Sequence, residues 1–260
     1  MRKLVEVYWG TSGCVVLISI VSLLLSSACI QQPSGFNPTD AYDYPIKPGT
    51  EEWKAFTTHD EMLKACQIPE NILKNMSTAG LVETVLNYPL YGDIRAYDSL
   101  QMGFDHVSAR FNGLKELLNR KDAGTALIAR YHTMDPAAID EGWTILQKGR
   151  HVTSIQDIEI LLAQDAILAN LAEKQCNDLV KEAITKIQAK QGHIEIYGDY
   201  GQESTAWVIA LVLRRVNYEP FIQKIEEDIT LQTFLSKGSF AGDSTLNEIL
   251  SLAEQFLSEK

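Results

Sequence analysis

Residues Ser204–Val216 read STAWVIALVLRRV, and Ile155–Leu171 read IQDIEILLAQDAILANL. Neither stretch alternates polar with apolar residues, and both outrun the usual strand of about 4–8 residues. Apolar character sustained over several helical turns marks a helix buried on every side. Two such helices require neighbours to cover them, and the rest of the chain supplies amphipathic candidates. Asn177–Gln191 places Leu179, Val180, Ala183, Ile184 and Ile187 on one face. Thr245–Leu257 does the same with Leu246, Ile249, Leu250, Ala253 and Phe256.

Shorter helices are expected upstream. Thr58-His59-Asp60-Glu61 has the form of a capping box, in which the Thr58 hydroxyl and the Glu61 carboxylate satisfy each other's backbone amides. Pro69 suits a first helical turn, and Ser77 opens a segment that ends at Asn87-Tyr88-Pro89. Helices follow at Tyr97–Phe111 and Leu114–Asn119, with another that Asp122 would cap. The one alternating stretch, His193–Tyr197 (HIEIY), is short enough to extend the helix before it. Thr78-Ala79-Gly80 and Asp122-Ala123-Gly124 lie 44 residues apart, a spacing in the range of irregular helical repeats, although chance explains so short a match. The expected fold is therefore all-α, a multihelical array over residues 51–260 rather than a simple four-helix bundle.

The N-terminus reads differently. Arg2 and Lys3 precede an uncharged run whose most apolar part is Cys14–Leu25, followed by Ser26-Ser27-Ala28-Cys29. A basic start, a short apolar segment and small residues at a cut are the order of a secretory signal peptide. Leu25-Ser26-Ser27-Ala28-Cys29 also resembles the bacterial lipobox, although leucine stands four rather than three residues before the cysteine. That resemblance implies a signal peptide over 1–28, with the Cys29 sulfur taking a diacylglycerol and becoming the mature N-terminus. Two or more acyl chains would hold the protein on a membrane essentially permanently. An uncleaved anchor over Val7–Ile30 and ordinary secretion are the competing readings. Residues 29–50 carry four of the eight prolines and read as an extended tether reaching up to roughly 60 Å.

Composition limits the partners. The chain carries 23 Lys and Arg against 34 Asp and Glu. Removal of residues 1–28 leaves 21 against 33, a net charge of −12. Such a surface repels phosphate backbones, so no nucleic-acid partner is expected. Of the cysteines, Cys66 and Cys176 remain beyond Cys29. A disulfide between them is permitted outside the cytoplasm, and two separate buried thiols are the simpler expectation.

No motif fixes a chemistry. The five histidines, at 59, 106, 132, 151 and 193, lack metal-ligand spacing, and no catalytic motif occurs. No catalytic residue, metal or cofactor is therefore assigned. Two places carry polar residues worth following. Asp165 falls within the apolar stretch 155–171, where a buried carboxylate needs a partner such as Arg110, Arg120 or Arg214. The segment His193–Ser204 (HIEIYGDYGQES) gathers His193, Tyr197, Asp199 and Tyr200 about two glycines, as a sugar- or peptide-binding loop would. A plain turn, with Gly198 ending one helix and Ser204 near the cap of the next, explains the same residues.

Glu61–Thr78 (EMLKACQIPENILKNMST), Phe111–Gly124 (FNGLKELLNRKDAG) and Ile158–Asp165 (IEILLAQD) loosely resemble uncharacterised lipoproteins of Gram-positive bacteria. The resemblance implies location and carries no activity. The expected protein is a lipid-anchored extracytoplasmic module that binds a protein or envelope ligand. A cell-envelope hydrolase with helix-borne carboxylates and a structural spacer are the alternatives.

Overall fold

The computed structural model describes residues 36, 38–198, 200–239 and 242–260. The expected signal peptide, Cys29, the first part of the tether and Asp199 lie outside them. The described chain is helical, with no strand among the described residues. Its first half consists of α1 (Glu51–Lys54), α2 (His59–Ala65), α3 (Glu70–Asn75), α4 (Thr78–Leu86), a 3-10 turn (Tyr91–Ala96), α5 (Leu100–Ser108), α6 (Asn112–Asn119) and α7 (Ala123–His132). The second half has α8 (Ile145–Leu162), α9 (Asp165–Leu168), α10 (Glu173–Gln191), α11 (Ile194–Tyr197), α12 (Tyr200–Arg215), α13 (Glu219–Glu227), α14 (Ile229–Lys237) and α15 (Gly242–Ser258).

Helix α12 is the axis of the second half. Every residue from Gly201 to Leu213 is buried, and α8, α10, α14 and α15 pack around it. The Trp207 indole, fully enclosed, donates to the Leu235 carbonyl at 3.0 Å and so ties α14 to the axis. In the first half α4 plays the smaller equivalent part, packing on α6 and α7, with α7 joining the halves through α8. The Thr58 capping box forms as expected.

Side-chain bonds between successive layers recur at similar sequence offsets. Asn112 holds both the amide and the carbonyl of Ile68, 44 residues away, at 3.0 and 2.7 Å. Arg120 reaches the Met76 carbonyl and Thr78 reaches Asp122, each again 44 residues apart. Further along, Gln175 reaches Thr125 across 50 residues, and Arg214 reaches Asp165 across 49. Asp122 does not cap α7 through its side chain, because its carboxylate takes the Thr78 hydroxyl at 2.9 Å instead.

The tether expectation is corrected over residues 40–44. Asp40 accepts from the Ser77 amide and hydroxyl at 2.7 and 2.8 Å, and Ser77 in turn caps α4 through the Gly80 amide. A Cβ at Gly80 would lie 2.2 Å from the Asp40 carboxylate, so glycine makes room for this contact. Tyr44 is buried beside Tyr88, which stacks on Phe111 at 3.8 Å, and its hydroxyl donates to the Thr84 carbonyl. Burying two aromatic rings outweighs the freedom of a solvated linker. Residues 40–44 are a docked strap.

Cys66 and Cys176 are separate buried thiols. No helix among the described residues is long and apolar enough to cross a membrane.

Candidate functional site

The polar cleft of interest forms where α5, α9 and α12 meet. Ser99 caps α5 by accepting from the Met102 amide, which sets Gln101, Asp105 and Ser108 on one face at helical spacing. Phe104 lies beneath them, buried. Opposite, α8 ends at Leu162 and the backbone opens at Gln164 before α9 begins at Asp165. Gln164 is buried and donates to the Ile160 carbonyl at 2.7 Å, closing the last turn of α8. Near the end of α12, Arg214 donates to Asp165 at 2.8 Å.

These groups form a connected rim. Gln101 donates to Asp105 at 2.7 Å and to Gln164 at 3.2 Å across the gap. Leu118, Leu211 and Leu235 complete an apolar floor with Phe104, around a volume of about 380 Å³. A cleft of this kind, with a few convergent polar groups over an apolar base, is the usual form of a small-ligand site.

Asp165 therefore borders this cleft, but not as a buried carboxylate. The reading that ran one helix through 155–171 put it on the core face. The break after Leu162 turns it outward, leaving its side chain 81% exposed and paired with Arg214, one of the three expected partners. Arg120 instead holds the carbonyls of Leu73 and Met76 at the end of α3.

The segment 193–204 does not assemble into one site among its described residues. His193 is half-buried, with Nδ1 3.7 Å from Glu195. Tyr197 is buried, and its hydroxyl donates to the Pro136 carbonyl at 2.8 Å, so it packs rather than binds. Tyr200 is exposed and borders a separate space of about 220 Å³ beside Arg95 and Gln156. Gly198 ends α11 at a φ of 58°, in keeping with a turn. Ser204 is no cap: it sits inside α12 and donates to Glu159.

That carboxylate belongs to the buried charge the sequence reading missed. Glu159 on α8 and Lys190 on α10 pair at 2.8 Å with neither side chain exposed. Tyr131 and Thr205 donate to Glu159, while Lys190 also reaches the Gly201 carbonyl and Thr205. Burial pushes the Lys190 amine down from its ordinary value, against the pull of Glu159. A signal was present, because Glu159 follows Ile155 by four residues and precedes Leu162 by three, which is core register. Enclosed on all sides, the cluster ties four helices together and offers no access to a substrate.

No group of three or more His, Cys, Asp or Glu side chains among the described residues is placed to hold a metal ion. The chain matches no protein-family model, no curated protein and no solved structure.

Proposed function

We propose that the chain is a lipid-anchored extracytoplasmic protein whose helical body binds an envelope ligand in the cleft of α5, α9 and α12. The observation that carries the binding half is the convergence of Gln101, Asp105, Gln164, Asp165 and Arg214 over an apolar floor. Asp105 and Asp165 each bond inside the rim through one oxygen, and the Arg214 guanidinium spends one donor on Asp165. A guanidinium carries five N–H donors and a carboxylate about four acceptor positions, so bonding capacity remains for a ligand. The anchoring half rests on the lipobox-like sequence ending at Cys29.

Two measurements test this reading. Cys29→Ser should move the protein from the membrane fraction to the medium or periplasm. Unchanged membrane retention without an acylated N-terminal peptide would sink the anchor. Hydrogen exchange with solubilised envelope material should protect residues 100–108, 163–168 and 211–214. Protection elsewhere, or none, would sink the cleft as the ligand site.

Catalysis is favoured by one observation, that Asp105 and Asp165 border the same cleft. Glycoside hydrolysis uses such a carboxyl pair as acid and base or nucleophile. New reducing ends released from envelope polysaccharide by the purified protein, and lost in Asp105→Asn, would establish that second reading over simple binding.

A further inference from the structure

We infer that the body docks on the bilayer through the exposed start of α8, an inference that rests on the proposed lipid anchor. No residue from Ala137 to Ser154 is buried, and the first buried position of α8 is Ile155. The first ten residues of this 18-residue helix, about 15 Å of it, thus supply no buried side chain. The helix holds at this end because Thr144 and Gln147 form a capping box. Its first two residues are Ile145, 90% exposed, and Leu146, 62% exposed.

Apolar groups gather at this tip. Trp143 precedes the cap, half-buried, its ring 5.3 Å from that of His151. Trp143, Ile145 and Ile196 of α11 border one hollow of about 500 Å³, and Ile194 on the same short helix is 46% exposed. Of the six large apolar side chains that stand exposed among the described residues, three are Ile145, Leu146 and Ile194. Single exposed apolar residues are ordinary, whereas a contiguous group marks a surface that meets a partner or a membrane.

Composition, shape and reach select the bilayer. An indole beside aliphatic side chains, with basic residues behind them, is the make-up of a segment at a membrane interface. Here Lys148 and Arg150 follow the tip on α8. They offset two of the three neighbouring carboxylates, Asp140, Glu141 and Glu195, so the tip escapes most of the negative charge of the body. Two copies would need a self-complementary face to pair. A helix end standing clear of the core has little flank to offer, and a fluid bilayer requires none. The undocked stretch between Cys29 and Asp40 reaches at most about 40 Å, which keeps an anchored body beside the bilayer. The tip then meets lipid at high effective concentration. Contact through so few side chains is reversible, so the strap still governs how much of the time the tip is seated.

The test reconstitutes the full lipidated chain in phosphatidylcholine vesicles whose acyl chains carry bromine, a quencher of indoles at the hydrocarbon boundary. Emission should be quenched, with a part of the quenching lost in Trp143→Phe. That part should fall at least about threefold in the double variant Ile145→Ser, Leu146→Ser, whose exposed positions leave the fold intact. Quenching that does not depend on Trp143, or that the double variant leaves unchanged, overturns the inference. The anchor is read separately, from an acylated N-terminal peptide in the mass spectrum. With that peptide present, failed quenching counts against the tip alone, and its absence overturns the anchor and the inference with it. Self-association abolished by the double variant, without Trp143 quenching, assigns the tip to a second copy and overturns the bilayer.

Discussion

Lys190→Met leaves the Glu159 carboxylate enclosed without its cation, and the loss should be about 3–5 kcal/mol of unfolding free energy. Glu159→Leu alone strands Lys190 in the same way. The double variant should lose distinctly less than the sum, because no uncompensated charge remains. Urea unfolding of the four proteins measures this, and strict additivity would contradict a directly coupled pair. Asp157 gives a second expectation. Burial raises its carboxyl to about 6, with Arg95 at 2.6 Å pulling the other way. The unfolded carboxyl titrates near 3.8, so between these values the native state holds a proton that the unfolded chain has released. The contribution of Asp157 is therefore greatest near pH 4 and falls as pH rises toward 7, by up to about 3 kcal/mol. The stability difference between wild type and Asp157→Asn should shrink over that range, and a constant difference would refute it. The sequence named Asp165 as the buried carboxylate of its stretch, when the fully enclosed one there was Glu159. Register alone could have shown this, but a glutamate among isoleucines gives no sign of a lysine 31 residues on that will meet it.

Among the elements, the joins between layers rest on few side chains. Arg120, mostly buried, binds the carbonyls of Leu73 and Met76 at 3.1 and 2.7 Å, the Thr78 hydroxyl at 3.3 Å and Glu116 at 3.0 Å. Lysine keeps the charge but lacks the planar fork that reaches several acceptors at once. Arg120→Lys should thus cost about 2–3 kcal/mol, whereas Arg110→Lys, at an exposed position, should stay within about 0.5 kcal/mol. Equal urea midpoints for the two variants would refute the role of the fork. Long helices were legible because their apolar pattern is strong, and α12, α10 and α15 appear near their expected places. The end of α8 was not legible. Ala163 and Gln164 carry no glycine or proline to announce a break, and apolar residues on both sides of it hide the change of direction. That hidden turn is what brings Asp165 into the cleft with Gln101, so the candidate site was missed for the same reason as the boundary.

For the whole molecule, the strap would limit how far the body can stand from the proposed anchor. Composition suggested a solvated tether over residues 29–50, because four prolines and no helical pattern say nothing about where two tyrosines dock. With Asp40 and Tyr44 fixed to α4, the span left between Cys29 and the body is residues 30–39, which reaches at most about 40 Å fully extended. Freed along its whole length, the stretch 29–50 would allow roughly 60 Å. The double variant Asp40→Ala, Tyr44→Ala removes the contacts with Ser77 and Thr84 and should let the body move away from the bilayer. A fluorophore on Asn71→Cys, at an exposed position of α3, reports this through energy transfer to a labelled lipid. Cys66 and Cys176 do not compete for the label, since both are buried and the Cys66 thiol is pushed up to about 11. Lipidation would remove the thiol of Cys29. Transfer should be efficient with the strap docked and fall clearly in the double variant, provided circular dichroism shows the helical body intact. Equal transfer in both proteins would mean that the strap does not set the height, and that the cleft works at a distance fixed by something else.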